Sequence, residues 1–217
     1  MTRLGLFGGT FDPIHNAHLR LALELKQLCQ IDDMRLVPAH IPPHRSTPHC
    51  SPQQRLALLR RAVENCPQLG IDERELHRHT PSYTVDTLQE LAAEVGSEVS
   101  LCLCIGGDSL VNLPTWHRWQ EVFELANVIV AVRPGYELPS QGPVAQCLAQ
   151  RRIDVAQLAQ HERGKIAIAD SSLLDISASY IRQELAARRS AQFLVPDSVW
   201  AAIVQDGLYM PTKNTKK

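Results

Sequence analysis

The feature that most constrains this chain is the regular alternation of short, uninterrupted apolar runs with longer stretches of helical periodicity. Residues 4–7, 34–37, 99–105, 128–132 and 165–169 read as strands, with a weaker one at 71–76. Helical patterns lie between or after them at 16–28, 52 to about 67, 84–95, 179–187 and 197–206. Runs that are apolar at every position suit strands buried on both faces, as in a parallel sheet covered by helices. The expected fold is therefore α/β, a doubly wound, mostly parallel sheet. Local punctuation supports the boundaries. Gly8-Gly9 ends the first run, Ser51-Pro52-Gln53-Gln54 spells a capping box with Pro at the first helical position, and Thr84 and Gly96 suit a helix cap and stop. With 217 residues and no internal repeat, one domain over 1–217 is expected. Its C-terminal helical part begins near 176, and the tail from 211 to 217 is expected to fray.

In such a sheet, ligands bind beyond the carboxyl ends of the strands. Segments 8–18, 38–45, 105–116 and 176–182 should meet there, and all four carry polar groups. Residues 38–52 hold five prolines and three histidines, which marks a long loop of the kind that often carries function. The first segment, Gly8-Gly9-Thr10-Phe11-Asp12-Pro13-Ile14-His15-Asn16-Ala17-His18, joins a strand to a helix start. Two glycines let the backbone approach a ligand, and a helix N-terminus offers unpaired N–H groups to an anion. The segment is neither GxGxxG nor a Walker A loop. His15 and His18 stand three apart, one helical turn, and can donate together to phosphate oxygens. Two other readings stay open: a metal pair completed from His40, His44, His49 or Cys50, or two structural histidines. The glycine pair directly after a strand favours phosphate.

Charge and cysteine content narrow the setting. Lys and Arg number 22 against 23 Asp and Glu, so there is no basic footprint for nucleic acid or anionic membrane. Uncharged apolar stretches such as 128–132 are far short of the ~18 residues of a membrane span. The six cysteines show no CxxC and no framework spacing, and read as buried free thiols. Cys102 and Cys104, two apart in a strand, should share a face. With no signal-peptide pattern at the N-terminus, the expected compartment is the cytoplasm.

The segment GGTFDPIHNAHL resembles the signature loop of the nucleotidyltransferase superfamily with a (H/T)xGH motif, most closely its nicotinate mononucleotide adenylyltransferase branch; Ala17 replaces the motif's Gly. Ile176-Ser177-Ala178-Ser179-Tyr180-Ile181-Arg182 resembles the family's ISxTxxR motif, with Ser179 at the Thr position. Taken alone, a Ser before a helix is an ordinary N-cap. Further matches follow in family order: Pro42-Pro43-His44-Arg45, Pro81-Ser82-Tyr83-Thr84, Ile105-Gly106-Gly107-Asp108-Ser109-Leu110, Trp116, and Arg133-Pro134-Gly135-Tyr136.

What the resemblance implies is a Rossmann-like nucleotidyltransferase that joins ATP to nicotinate mononucleotide, giving nicotinate adenine dinucleotide and pyrophosphate. His15 and His18 would act on the transferring phosphate. Gly8, Gly9, Thr10, Phe11, Gly106, Asp108, Ser177, Ser179, Ile181 and Arg182 would bind ATP. His44, Arg45, Tyr83, Thr84, Trp116 and Arg133 would bind the mononucleotide, and Mg²⁺ would arrive with ATP. Without the family, Trp116 is as readily core and Arg133 a surface ion-pair partner; Trp119 and Trp200 read as packing.

Gly107-Asp108-Ser109-Leu110 also spells the GDSL motif of a hydrolase family. That family places the motif near the N-terminus and Asp-x-x-His near the C-terminus, whereas here the motif is central and the last histidine is His161. The remaining rivals are a nucleotide-binding sensor without catalysis and an enzyme that prefers nicotinamide mononucleotide.

Overall fold

The computed structural model describes residues 1–41, 47–172 and 174–211. Among these, seven parallel strands form one sheet in the order β3-β2-β1-β4-β5-β7-β6. They are β1 (Thr2–Gly9), β2 (Asp33–Pro38), β3 (Leu69–Ile71), β4 (Val99–Gly106), β5 (Ala126–Val132), β6 (Arg152–Ile153) and β7 (Ile166–Asp170). The helices are α1 (Asn16–Leu28), α2 (Pro52–Val63), α3 (Thr84–Val95), α4 (Gly107–Asn112), α5 (Val122–Leu125), α6 (Gly142–Arg151), α7 (Ala178–Ala186) and α8 (Asp197–Asp206).

The chain winds outward from β1 through β2 to β3, then returns to lay β4 against the other side of β1. This reversal opens a crevice at the carboxyl ends of β1 and β4, where Gly8-Gly9 and Gly106-Gly107 lie.

Alternation along the strands sorts side chains onto two faces. Phe7, Cys102, Cys104, Ile129, Ala167 and Ala169 pack with buried residues of α1, α2, α7 and α8. Leu4, Leu6, Leu101, Leu103, Val128 and Val130 pack with α3, α4, α5 and α6. Every residue of β5 is buried, as its apolar run predicts. Cys102 and Cys104 share a face, and all six cysteines are unpaired. Burial pushes the Cys102 thiol up to about 11 and the Cys29 thiol up to about 12.

Several boundaries differ from expectation. The third strand occupies Leu69–Ile71 and does not run through 71–76. The cause is Asp72, whose carboxylate accepts from the Arg74 backbone N–H at 3.1 Å and its guanidinium at 2.8 and 2.9 Å, turning Arg74–His77 into a 3-10 helix. Helix α2 has the expected capping box, in which Ser51 Oγ accepts from Gln54 N and Gln54 Oε1 from Ser51 N, but it ends at Val63. Thr84 is the first residue of α3 and not its cap; the cap position is Tyr83, without a side-chain hydrogen bond. Helix α6 lies where no helix was expected; Pro143 sits at an early position of it, where its missing N–H costs nothing.

Candidate active site

The crevice is a cavity of about 830 Å³. Its wall takes residues from all four expected segments, including Gly8–Asp12, Gly106, Trp116 and Ser177. Its floor is the loop from β1 to α1. That loop ends at His15, whose extended backbone (φ −146°, ψ 169°) occupies the N-cap of α1 without a side-chain cap. Three residues on, His18 falls on the same side, and the two imidazoles stack with centroids 3.6 Å apart and planes 19° off parallel. Phe11 meets His18 edge-on at 5.1 Å and 90°. His15 is 4% exposed, its Nδ1 has no hydrogen-bond partner among the described residues, and burial lowers its pKa to about 4. At neutral pH His15 is therefore an uncharged imidazole facing the cavity.

Helix α7 supplies another part of the wall. Ser177 caps this helix through Oγ, which accepts from Tyr180 N at 3.1 Å, so the structural capping role exists alongside a place in the cavity wall. Arg182 lies one turn after Ala178; both line the cavity. Its Nη1 donates to the Asp12 carbonyl at 2.7 Å and its Nη2 to Ser179 Oγ at 3.3 Å, which joins α7 to the first loop. Ile181, expected at ATP, is instead fully buried with Leu185 at the i, i+4 spacing on the core face of α7, and its side chain is not in the cavity wall.

Thr84 and Trp116 both line the cavity, beside the uncapped start of α3. Trp116 also packs against the second core cluster, so the core reading and the ligand-wall reading describe one side chain. Besides Ile181, three expected contacts are not in the wall. Asp108 is exposed on the first turn of α4, and Ser109 takes its place. Tyr83 turns its ring toward His117, with centroids 4.4 Å apart. Arg133 is exposed and lies 3.6 Å from Asp175, the surface ion pair that its position alone suggests. His44 and Arg45 lie outside the described residues.

Sequence reading missed the buried layer beneath the loop. Asp12 is 4% exposed, and its carboxylate accepts from His49 N at 2.8 Å, Cys50 N at 3.2 Å and the Tyr209 hydroxyl at 2.9 Å. Arg55, wholly buried on α2, donates to the carbonyls of Thr10 at 2.6 Å and His40 at 3.3 Å. Glu75 also reaches the cavity wall; it accepts from Thr87 Oγ1 at 2.6 Å, and burial raises its pKa. The only hint for these was that charged residues stood where helix and loop patterns ask for apolar ones, as Arg55 does beside Leu56 and Leu59.

Chemically, the crevice offers imidazole, hydroxyl, guanidinium and backbone amide donors, a set suited to phosphate oxygens. Among the described residues, no group of three His, Cys, Asp or Glu is placed to hold a metal ion. No helix among them is long and apolar enough to cross a membrane.

Comparison with known proteins agrees with this geometry. Residues 6–184 match the family model described as cytidylyltransferase-like. A probable nicotinate-nucleotide adenylyltransferase of Cellvibrio japonicus is 54% identical over 206 residues, covering 95% of this chain and 98% of that protein. One from Halorhodospira halophila is 47% identical over 211 residues, covering 95% and 94%. The solved Plasmodium falciparum nicotinic acid mononucleotide adenylyltransferase, complexed with NaAD, superposes with a TM-score of 0.71 at 17% identity, over 96% of this chain and 98% of that one, and so shares the fold. The chain belongs to the cytidylyltransferase-like family and, within it, to the nicotinate-nucleotide adenylyltransferases.

Proposed function

We propose that the crevice binds ATP and nicotinate mononucleotide together and transfers the adenylyl group between them, releasing pyrophosphate, as a step of NAD synthesis. The observation that carries this reading is the stacked His15–His18 pair at the β1/β4 crevice, with Arg182 reaching across from α7. The mononucleotide phosphate attacks the α-phosphorus of ATP in line. A phosphate monoester is already anionic near pH 7, so no general base is needed to unmask it. The new P–O bond forms as the bond to pyrophosphate breaks, with no covalent enzyme intermediate. The protein's contribution is then orientation and neutralisation of the charge that develops on the transferring group.

In this reading His18 donates to the transferring phosphate, with the neutral His15 ring stacked on it as the second donor. Gly8, Gly9 and Thr10 shape the floor, and Ser177, Ser179 and Arg182 hold the ATP phosphates. Thr84 and Trp116 receive the pyridine end, with the open start of α3 facing its carboxylate. The donor set fits phosphate oxygens, so Mg²⁺ is best carried by the triphosphate and water, where it adds charge neutralisation to the leaving group. The six unpaired cysteines support a reducing, cytoplasmic setting.

The test is pyrophosphate release with ATP and Mg²⁺, offering nicotinate mononucleotide and nicotinamide mononucleotide separately. Turnover with a strong preference for the acid is expected. Preference for the amide would overturn the carboxylate reading of α3, and silence with both would leave a nucleotide-binding sensor.

A further inference from the structure

Asp12 is the point at which four distant parts of the chain meet beneath the cavity. Its carboxylate takes the Tyr209 hydroxyl at 2.9 Å and the backbone N–H groups of His49 and Cys50 at 2.8 and 3.2 Å. Its carbonyl takes Arg182 at 2.7 Å. A buried carboxylate with three donors is held firmly, because each lost donor leaves charge uncompensated at low dielectric. The loop carrying Asp12 runs directly into the stacked histidines.

Tyr209 reaches this position from beyond α8. The chain takes left-handed backbone at Gly207 (φ 61°) and again at Tyr209 (φ 63°), a conformation that costs a side-chain-bearing residue energy. That turn brings the ring back against the core cluster and the hydroxyl under the loop. The same end of the chain grips the start of α1 a second time. Asn16 donates from its backbone to the Leu194 carbonyl at 3.0 Å and from its side chain to the Phe193 carbonyl at 2.7 Å.

We propose that Tyr209 is a positioning residue of the adenylyl-transfer site: through the Asp12 carboxylate it fixes the loop backbone from which Arg182 is held against the ATP phosphates. The proposal rests on the adenylyl-transfer reading for its substrate, but its geometry does not depend on which mononucleotide is used. Tyr209→Phe removes the one hydroxyl and keeps the packing.

The experiment measures KM for ATP and for nicotinate mononucleotide, with the melting temperature, in the full chain and in Tyr209→Phe. A rise in the ATP KM of roughly tenfold is expected, from the loss of one hydrogen bond to a charged group. The mononucleotide KM should stay within about twofold, since Thr84 and Trp116, which receive its pyridine end in the proposed function, belong to α3 and the segment after α4. In an Arg182→Ala background, Tyr209→Phe should add little to the ATP KM, because the path runs through Arg182. A folded Tyr209→Phe with unchanged ATP KM, or effects of the two substitutions that simply multiply, would overturn the proposal. If Tyr209→Phe does not fold, Asp12→Asn carries the same test, with the same rise expected and an unchanged ATP KM again overturning it. Calorimetry with ATP alone separates the two failures. A wild-type chain that turns over neither mononucleotide defeats the adenylyl-transfer reading, while weaker ATP binding by Tyr209→Phe still supports the positioning role and equal binding defeats it.

Discussion

The rings of His15 and His18 lie 3.6 Å apart and within 19° of parallel, in a cavity wall that also holds Arg182. A stacked pair limits the rotamers of both rings, so under the proposed mechanism the donors would be in place before substrate arrives and would cost little reorganisation. His18 also has the Phe11 ring at its edge. Losing one such donor typically costs about 10²–10³ in rate. His18→Ala is therefore expected to lower kcat by that order with a smaller change in either KM. Steady-state kinetics check it, and an unchanged kcat would remove His18 from the mechanism.

Burial of His15 makes a second, pH-dependent outcome. Its pKa falls from 6.5 to about 4 in the folded chain. Between those values the unfolded chain binds a proton that the folded chain does not, so stability rises with pH across this window. It is fully present above pH 6.5 and is lost as pH falls through the window toward 4. The shift corresponds to about 3 kcal/mol. Urea unfolding at pH 7 and pH 5 should show a smaller acid loss in His15→Gln than in the parent chain. Equal losses would mean that the imidazole is not desolvated.

The parallel sheet, the two-faced burial of β5 and the convergence of four segments were legible because each depends on local pattern: apolar runs, paired glycines, a capping box. The third strand was misplaced because Asp72 ends it by bonding forward to Arg74, a side-chain choice that periodicity does not register. Helices α4 and α5 were missed because they are single turns or little more, whose stability comes from packing Leu110, Val122 and Phe123 against the sheet. Within the site, motif residues were found in the right segments, but motif membership did not say which way a side chain faces. Ile181 and Arg182 are neighbours in sequence, about 100° apart around α7, and one is buried in the core while the other lines the cavity. Asp12, Arg55 and Tyr209 were overlooked because their partnership spans 197 residues of separation between the first and the last. No local window contains it.

The two glycines that end β1 should respond differently to a methyl group. A Cβ on Gly9 would stand 2.8 Å from the Phe11 ring, while one on Gly8 would meet nothing within 4 Å. Gly9→Ala must push Phe11, and Phe11 leans edge-on against His18. It should lower kcat several-fold and cost about 1–3 kcal/mol of stability, as overpacking does. Gly8→Ala should leave the melting temperature unchanged and raise a substrate KM, because its methyl would project into space kept clear for a ligand's close approach. Thermal unfolding paired with kinetics distinguishes the two, and a Gly8→Ala chain with native KM values would show that nothing approaches the backbone there.

Trp116 provides the sharpest separation of the two substrates. It lines the cavity together with Thr84, at the open start of α3, while its remaining surface packs against the core on the α3–α6 side of the sheet. Arg182 and the capped α7 lie on a different part of the wall, built from the other end of the chain. If pyridine stacks on Trp116, Trp116→Ala raises the mononucleotide KM by about tenfold, the usual order for losing one aromatic contact of ~1 kcal/mol together with its buried area. The ATP KM should stay nearly constant. Truncation of a half-buried Trp also loosens the core, so a fall in melting temperature accompanies the kinetic change without explaining its selectivity. Trp116→Phe separates the effects further: it keeps a stacking face and should recover most of the mononucleotide KM. Should both KM values rise together in Trp116→Ala, and both recover in Trp116→Phe, the indole is a packing residue that shapes the whole crevice and not a platform for one ring.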